Sequence, residues 1–251
     1  MNKLSTTESF SKGLLIQLQP RMLFALILPL FISVVSIIFL LIFAWNPLDT
    51  WLYESASKWS WFQNAASSGW GFSTMSDWLS GILSFITLSA IGIVIGLASA
   101  SIMVTPLAIK FISELYFPHL EKRGQHANKV STFNAVKVSL IFVFGWLLTL
   151  PLWFIPFMSI VLSIFWGAYA FSQMSQVDAI VEHATAEERR YILSNHKKGF
   201  WIIGLICATL SLIPFMGLVM PVFSIIVCTH YGLKALDTHR KQAVKSLQTS
   251  S

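Results

Sequence analysis

The chain has 251 residues, of which 55% are hydrophobic and only 11% are charged. Soluble domains carry about 25% charged residues, so this composition, with a mean hydropathy of +0.68, excludes an ordinary soluble domain and indicates an integral membrane protein. The basic residues behind the net charge of +6 lie outside the long apolar runs, which is typical of residues that orient membrane segments. No basic stripe is interleaved with stacking aromatics, so no nucleic-acid partner is expected.

Two charge-free runs predict two full transmembrane helices. Residues 1–21 are expected to form a cytoplasmic N-terminal segment, and residues 22–45 the first span. Residues 78–104 form the second span, since about 20 residues at ~1.5 Å each cross ~30 Å of hydrocarbon. The acidic, tryptophan-rich connection between them, residues 46–77, is expected to be external, because tryptophans favour the headgroup region.

The second span carries a stripe of small residues. Gly92, Gly96 and Ala100 recur every four residues. Small side chains at that spacing lie on one face of a helix and let another helix approach closely. We therefore assign this stripe to helix packing rather than to ligand binding.

Two later apolar runs, residues 138–171 and 200–228, predict proline-tipped helical hairpins. Prolines interrupt each run near its middle, at Pro156 and Pro214, and a proline cannot donate the helical hydrogen bond. In the first run, the arms 138–150 and 157–171 would each reach only ~20 Å, which favours hairpins that turn inside the membrane. Arms extending past their polar flanks would instead cross fully. The other segments are expected on the cytoplasmic side: an amphipathic segment, 105–137; a connector, 172–199; and the tail, 229–251.

Lysines and arginines flank both hairpins and precede the first span, so both termini are expected to be cytoplasmic. Within the connector, Thr185 and Glu188 have the spacing of a capping box, which predicts that a helix starts there. The sequence therefore predicts one membrane domain over residues 1–251. Its fold class is an all-α integral membrane protein with two full transmembrane helices plus two proline-tipped re-entrant helical hairpins.

No feature of the chain points to catalysis, and an enzyme is not expected. The spans lack Asp and Glu, and no Ser/His/Asp or Cys/His set stands in a recognisable context. The six histidines are scattered on the flanks, so neither a metal site nor a cofactor is expected. Cys207 and Cys228 have no partner at metal spacing and are predicted to be buried, inert thiols.

The two hairpin tips are candidate functional elements. The word Ile-Pro-Phe-Met occurs twice and places Pro156-Phe157 and Pro214-Phe215 at the midpoints of the two runs. A helix broken inside a membrane leaves backbone N–H and C=O groups that must be buried in protein or line a wet cavity. The N-terminus of each second arm would then point into the bundle and favour an anion. Alternatively, the prolines only shape a packed hairpin; both interpretations stay open.

Several short motifs resemble one family in their order along the chain. They are Arg21 before a first span with Ile27-Leu28-Pro29, then Thr105-Pro106, Ile155-Pro156, Asp178, and Gly204 ahead of Ile213-Pro214. This order resembles the CysZ-like sulfate permease family, which shares its domain with the etoposide-induced proteins of eukaryotes. The resemblance covers roughly residues 10–240.

The resemblance implies cytoplasmic termini, two full spans, two re-entrant helical pairs, oligomers and sulfate uptake across the bacterial inner membrane. Sulfate-transporting members have a glycine and an arginine pair in the loop that enters the first span. Here that stretch reads Pro20-Arg21-Met22-Leu23-Phe24, so the pair falls on Leu23 and Phe24 and only Arg21 is basic.

We therefore expect an inner-membrane protein that transports or conducts a small inorganic anion, with sulfate the first candidate. Arg21 and the two tips would form its path. The expected partners are the lipid bilayer and further copies of the chain, because buried tips need more helices than one chain supplies. The alternative is a non-transporting membrane scaffold or accessory subunit.

Overall fold

The computed structural model describes residues 6–58, 72–213 and 216–249, with only the backbone described at some of these positions. The described residues are almost entirely helical, as predicted. In chain order the helices are α1 (Thr6–Gln17), α2 (Pro20–Phe43), α3 (Trp45–Ser57), α4 (Phe72–Tyr116), α5 (Ala127–Leu148), a 3-10 helix (Leu150–Phe154), α6 (Met158–Asp178), α7 (Ala186–Asn195), α8 (Lys197–Leu210) and α9 (Met216–Thr249).

Among the described residues, three helical stretches are long and apolar enough to cross a membrane: Met22–Phe43, Ala127–Leu148 and Val219–Ser246. In the most apolar part of the first two, only 6% of the residues are buried by the chain, whereas in the third 78% are buried. The surfaces of the first two stretches are therefore exposed and free to contact lipid or another subunit. The third forms part of the protein interior.

The helical arms are longer than the apolar runs that predicted them. The helix α5 begins at Ala127, well before the apolar run, α6 continues to Asp178, and α9 continues to Thr249. Backbone hydrogen bonding carries a helix into its polar flanks, so an apolar run measures contact with lipid rather than helix length. The ~20 Å arm length estimated for the first hairpin is thus too short for α5 and α6, which have 22 and 21 residues at ~1.5 Å each.

Two segments that the sequence described as connections contain more helix than expected. The helix α3 occupies the start of the acidic connection, with Pro47 in its first turn, where a missing N–H costs nothing. The first part of the amphipathic segment, up to Tyr116, is a continuation of α4.

The described chain divides into two compact units, one made of the residues up to Leu26 and from Met103 onward, the other of Ile27–Ile102. In the first unit α9 lies at the centre. The helix α1 runs antiparallel along it: Lys234 contacts Glu8, His230 is 3.2 Å from Ser9, and a Cβ on Gly13 would lie 2.6 Å from Val227.

The core of the first unit is completed by α6 and α8, which pack against each other and against α9. Gly204 on α8 allows close contact, since a Cβ there would lie 2.5 Å from the carbonyl oxygen of Ala168 on α6. Cys207 and Cys228 are fully buried, which confirms the predicted burial of both thiols.

The connector helix α7 begins as predicted. The Thr185 side chain accepts a hydrogen bond from the Glu188 N–H at 3.2 Å, and Glu188 accepts one from the Thr185 N–H at 2.8 Å. This reciprocal pair satisfies two N–H groups that the first turn of a helix would otherwise leave unpaired. The capping box is therefore confirmed.

Candidate functional site

The junction between α1 and α2 places Arg21 in the first turn of a long apolar helix. Pro20 is the first residue of α2, where its missing N–H costs nothing, and Arg21 follows it. The carbonyl oxygen of Gln19 accepts hydrogen bonds from the N–H groups of Met22 and Leu23, both at 2.9 Å. The partial positive charge of a helix N-terminus therefore coincides with the only basic residue of this junction.

Gln17, the last residue of α1, is the polar side chain that the sequence analysis missed at this junction. Only 8% of its surface is exposed, and neither end of its amide has a partner among the described residues. Its neighbours Ile16 and Met22 are fully buried. Each buried polar group without a partner lowers the stability of a protein by about 1–3 kcal/mol. The Gln17 amide therefore offers one hydrogen-bond donor group and one acceptor to a bound polar ligand.

The backbone of the first hairpin tip differs from its prediction. Its backbone finds local partners: Leu152 N–H donates to Thr149, Ile155 N–H to Leu152 and Met158 N–H to Ile155, at 2.9–3.2 Å. The tip is also not buried by its own chain, because Phe157 is 80% exposed. The N–H groups of Leu152, Ile155 and Met158 are therefore not left unpaired as expected, and burial of the tip by further copies of the chain stays a prediction.

Phe157 itself adopts a left-handed conformation, with φ of 65°, between Pro156 and the start of α6. Such a conformation is unusual for a bulky residue, and here it reverses the chain between the 3-10 helix and α6. At the second tip, Pro214 and Phe215 lie outside the described residues. The flanking turn pairs the N–H of Ile213 with Leu210 and that of Met216 with Ile213.

The predicted path residues are not gathered at one place in the described chain. The helix α1 packs against α9 and α8, whereas the 3-10 helix of the first tip packs against α5 and α6. The Arg21 side chain lies outside the description. The structure therefore offers two separate candidate elements, the α1–α2 junction and the first tip.

The small-residue stripe lies against α2 within the second unit. A Cβ on Gly92 would lie 2.9 Å from the backbone nitrogen of Ile37, and one on Gly96 would lie 2.8 Å from the carbonyl oxygen of Pro29. Both distances are shorter than real Cβ contacts, so larger residues would push the two helices apart. The side chain of Ala100 lies outside the description.

Buried hydroxyl groups follow the α6 interface in the first unit. Ser175 on α6 and Ser224 on α9 share a hydrogen bond of 3.4 Å, and the fully buried Ser172 hydroxyl has no partner among the described residues. Their spacing of three residues on α6 was a signal in the sequence, since small polar residues one turn apart on an apolar helix mark a polar seam.

Charged side chains join the connector to the end of α9. The Arg240 guanidinium donates two hydrogen bonds to Glu188, at 2.8 and 2.9 Å, and one to the carbonyl oxygen of His183 at 2.7 Å. The guanidinium lowers the pKa of Glu188 to about 2. Asp178, at the end of α6, accepts a hydrogen bond from Ser131, and burial raises its pKa. These groups hold elements together and show no arrangement for covalent chemistry.

Comparison with known proteins gives one match. The family model described as sulfate transporter CysZ/etoposide-induced protein 2.4 matches residues 9–221, which include both candidate elements. Neither a curated protein nor a solved structure matches the chain.

Proposed function

Because the chain belongs to the sulfate transporter CysZ/etoposide-induced protein 2.4 family, we propose that it transports a small oxyanion, with sulfate the first candidate, through the bacterial inner membrane. In this proposal residues 22–45 and 78–104 cross the membrane, the two hairpins are re-entrant, and both termini are cytoplasmic. The protein acts as a transporter and not as an enzyme.

The buried Gln17 amide carries this proposal. An oxyanion such as sulfate has no proton to donate, so its site must supply hydrogen-bond donors and positive potential. The Gln17 amide supplies N–H donors, the α2 N-terminus supplies a positive dipole end, and Arg21, in the first turn of α2, supplies a full charge. These three features lie within five consecutive residues of the chain.

The unpartnered amide also accounts for the missing arginine pair. Leu23 and Phe24 stand where sulfate-transporting members have arginines, and both are exposed apolar side chains on α2. We infer that Gln17 replaces part of their hydrogen bonding while leaving the site with less positive charge. Such a site would hold its anion more weakly, which suits a path that must also release it.

The exposed first tip is the reason for proposing a homo-oligomer. Phe154 is 91% exposed beside the exposed Phe157, and a loop of this kind is not stable against lipid unless protein or a wet cavity covers it. We propose that a second copy covers the tip, and that Pro156-Phe157 and Pro214-Phe215 line the path between the copies.

Substituting Gln17 by leucine tests the proposed site. Gln17→Leu is expected to reduce radiolabelled sulfate uptake into proteoliposomes about tenfold, the effect of losing roughly 1.4 kcal/mol of hydrogen bonding. It should not lower the midpoint of thermal unfolding, because a buried leucine needs no partner. The matched control is Gln19→Leu, two residues away and less buried. Wild-type uptake equal to that of empty vesicles, for sulfate and related oxyanions, would refute the transport proposal.

The exposed apolar tip also favours the alternative function, a membrane scaffold that binds other proteins through this surface. The variant Phe157→Cys separates the two, because the native Cys207 and Cys228 are fully buried and give little background. We expect labelling by a membrane-impermeant thiol reagent, since a transport path is wet. The control is Phe144→Cys, a 68% exposed position in the apolar part of α5. A Phe157→Cys variant that the reagent does not label would favour the scaffold.

A further inference from the structure

A shallow aromatic groove of about 440 Å³ lies within the second unit, where α3 meets α4. It is lined by Trp45 from α3 and by Trp78, Gly81, Ile82 and Phe85 from α4. The Trp45 indole lies beside Gly81, since a Cβ at this glycine would be in ordinary contact with the ring at 3.8 Å. Two indole rings therefore border one apolar groove.

A carboxylate stands beside the groove. Asp49 follows Trp45 by one turn of α3, and Ser84 follows Gly81 by one turn of α4. The Ser84 hydroxyl donates a long hydrogen bond of 3.5 Å to Oδ1 of Asp49. Trp45 and Asp49 thus reach the same turn of α4 from one face of α3. None of the lysines, arginines and histidines that the structure describes forms a salt bridge with Asp49.

The position of the groove indicates what fills it. The apolar helix α2 ends at Phe43, two residues before Trp45, so the groove begins where the apolar span ends. Ile42 and Phe43 are exposed at that end of α2, and Ile82 and Phe85 are exposed on α4. Tryptophans and exposed apolar side chains together mark the boundary between hydrocarbon and headgroups. In the proposed membrane arrangement the groove therefore lies at the level of the lipid headgroups.

We propose that this groove binds a phospholipid whose headgroup ends in an ammonium. The Asp49 carboxylate and the faces of Trp45 and Trp78 receive the ammonium, and Ile82 and Phe85 contact the upper part of an acyl chain. Indole faces attract cations more strongly than other aromatic rings do, and the carboxylate adds a full opposite charge. An anionic headgroup without an ammonium forms neither the cation–π contact with the indoles nor the ion pair with Asp49, and the Asp49 carboxylate repels it.

Native mass spectrometry of the purified protein with two lipids tests this binding site. Phosphatidylethanolamine and phosphatidylglycerol with identical acyl chains are offered in equal amounts. The wild type is expected to retain the ethanolamine lipid about three- to tenfold better, as a cation–π contact plus an exposed ion pair allow. Asp49→Asn and Trp78→Ala should each bring the ratio close to one. Trp78 is 70% exposed, so its removal leaves the core intact.

Two matched controls should leave the lipid ratio unchanged. Trp51→Ala removes an exposed indole of α3 that does not line the groove, and Glu114→Gln removes an exposed carboxylate elsewhere on α4. Equal retention of both lipids by the wild type would overturn the proposal. So would an Asp49→Asn variant with an unchanged ratio, since the groove would then hold acyl chains without recognising the headgroup.

Discussion

Glu188→Ala is expected to lower the free energy of unfolding by about 3 kcal/mol. The Glu188 carboxylate is only 14% exposed and accepts two hydrogen bonds from the Arg240 guanidinium, which is 15% exposed. The substitution also removes the capping box at the start of α7. It leaves Arg240 with a charge that is nearly buried and has lost its carboxylate, so the loss should exceed that of a surface ion pair, which is about 0–1 kcal/mol.

The same ion pair predicts a pH dependence with a definite sign. Arg240 lowers the pKa of Glu188 to about 2, below its ordinary value of 4.5. The stabilisation is therefore complete above pH 4.5 and is lost as the pH falls towards 2. Thermal unfolding midpoints in detergent should show wild type and Glu188→Gln differing most above pH 4.5 and converging below it.

Glu187 provides the matched control for both measurements. It is the neighbouring exposed carboxylate in the first turn of α7. We expect Glu187→Ala and Glu187→Gln to change the unfolding midpoint only slightly, because helix-dipole effects at exposed sites are worth about 0.3–1 kcal/mol. If the Glu187 and Glu188 variants lowered the unfolding midpoint equally, the hydrogen bonds from Arg240 would add nothing to the effect of removing a negative charge.

Local signals in the sequence were enough to predict one helix start and one helix break. The capping box at Thr185 and Glu188 predicted the start of α7, and Pro156 predicted the break between α5 and α6. In each case a few neighbouring residues decide the backbone conformation, through a missing N–H or a reciprocal side-chain hydrogen bond. Such features need no knowledge of tertiary contacts.

Features that depend on distant residues could not be predicted from the sequence. Arg240 and Glu188 are 52 residues apart, and no periodicity links them. In the sequence, nothing distinguishes Gln17 from the other polar residues of the N-terminal segment. Its burial results from the packing of α1 on α9 through Ser9 and Gly13. The exposure of the Phe157 tip depends on what a second copy or the membrane places against it.

Gly204→Ala is expected to lower the free energy of unfolding by about 2 kcal/mol, although alanine favours helices over glycine by up to about 1 kcal/mol. The added Cβ would lie 2.5 Å from the Ala168 carbonyl oxygen and 3.0 Å from the Ser172 nitrogen. Both are backbone atoms of α6, so no side chain can rotate away. The helices α6 and α8 would have to separate along the largest interface of the first unit.

Gly217→Ala is the matched control, because the nearest atom to its Cβ is the Ser211 carbonyl oxygen at an ordinary 3.4 Å. Thermal unfolding in detergent should show a lower midpoint for Gly204→Ala and an unchanged or higher one for Gly217→Ala. Equal midpoints for the two variants would mean that α6 and α8 adjust freely. Ser172 and Ser175 lie on the same part of α6, so separation of α6 from α8 would also disturb the hydrogen bond between Ser175 and Ser224. A fall in sulfate uptake larger than the loss of folded protein would then connect this seam to transport.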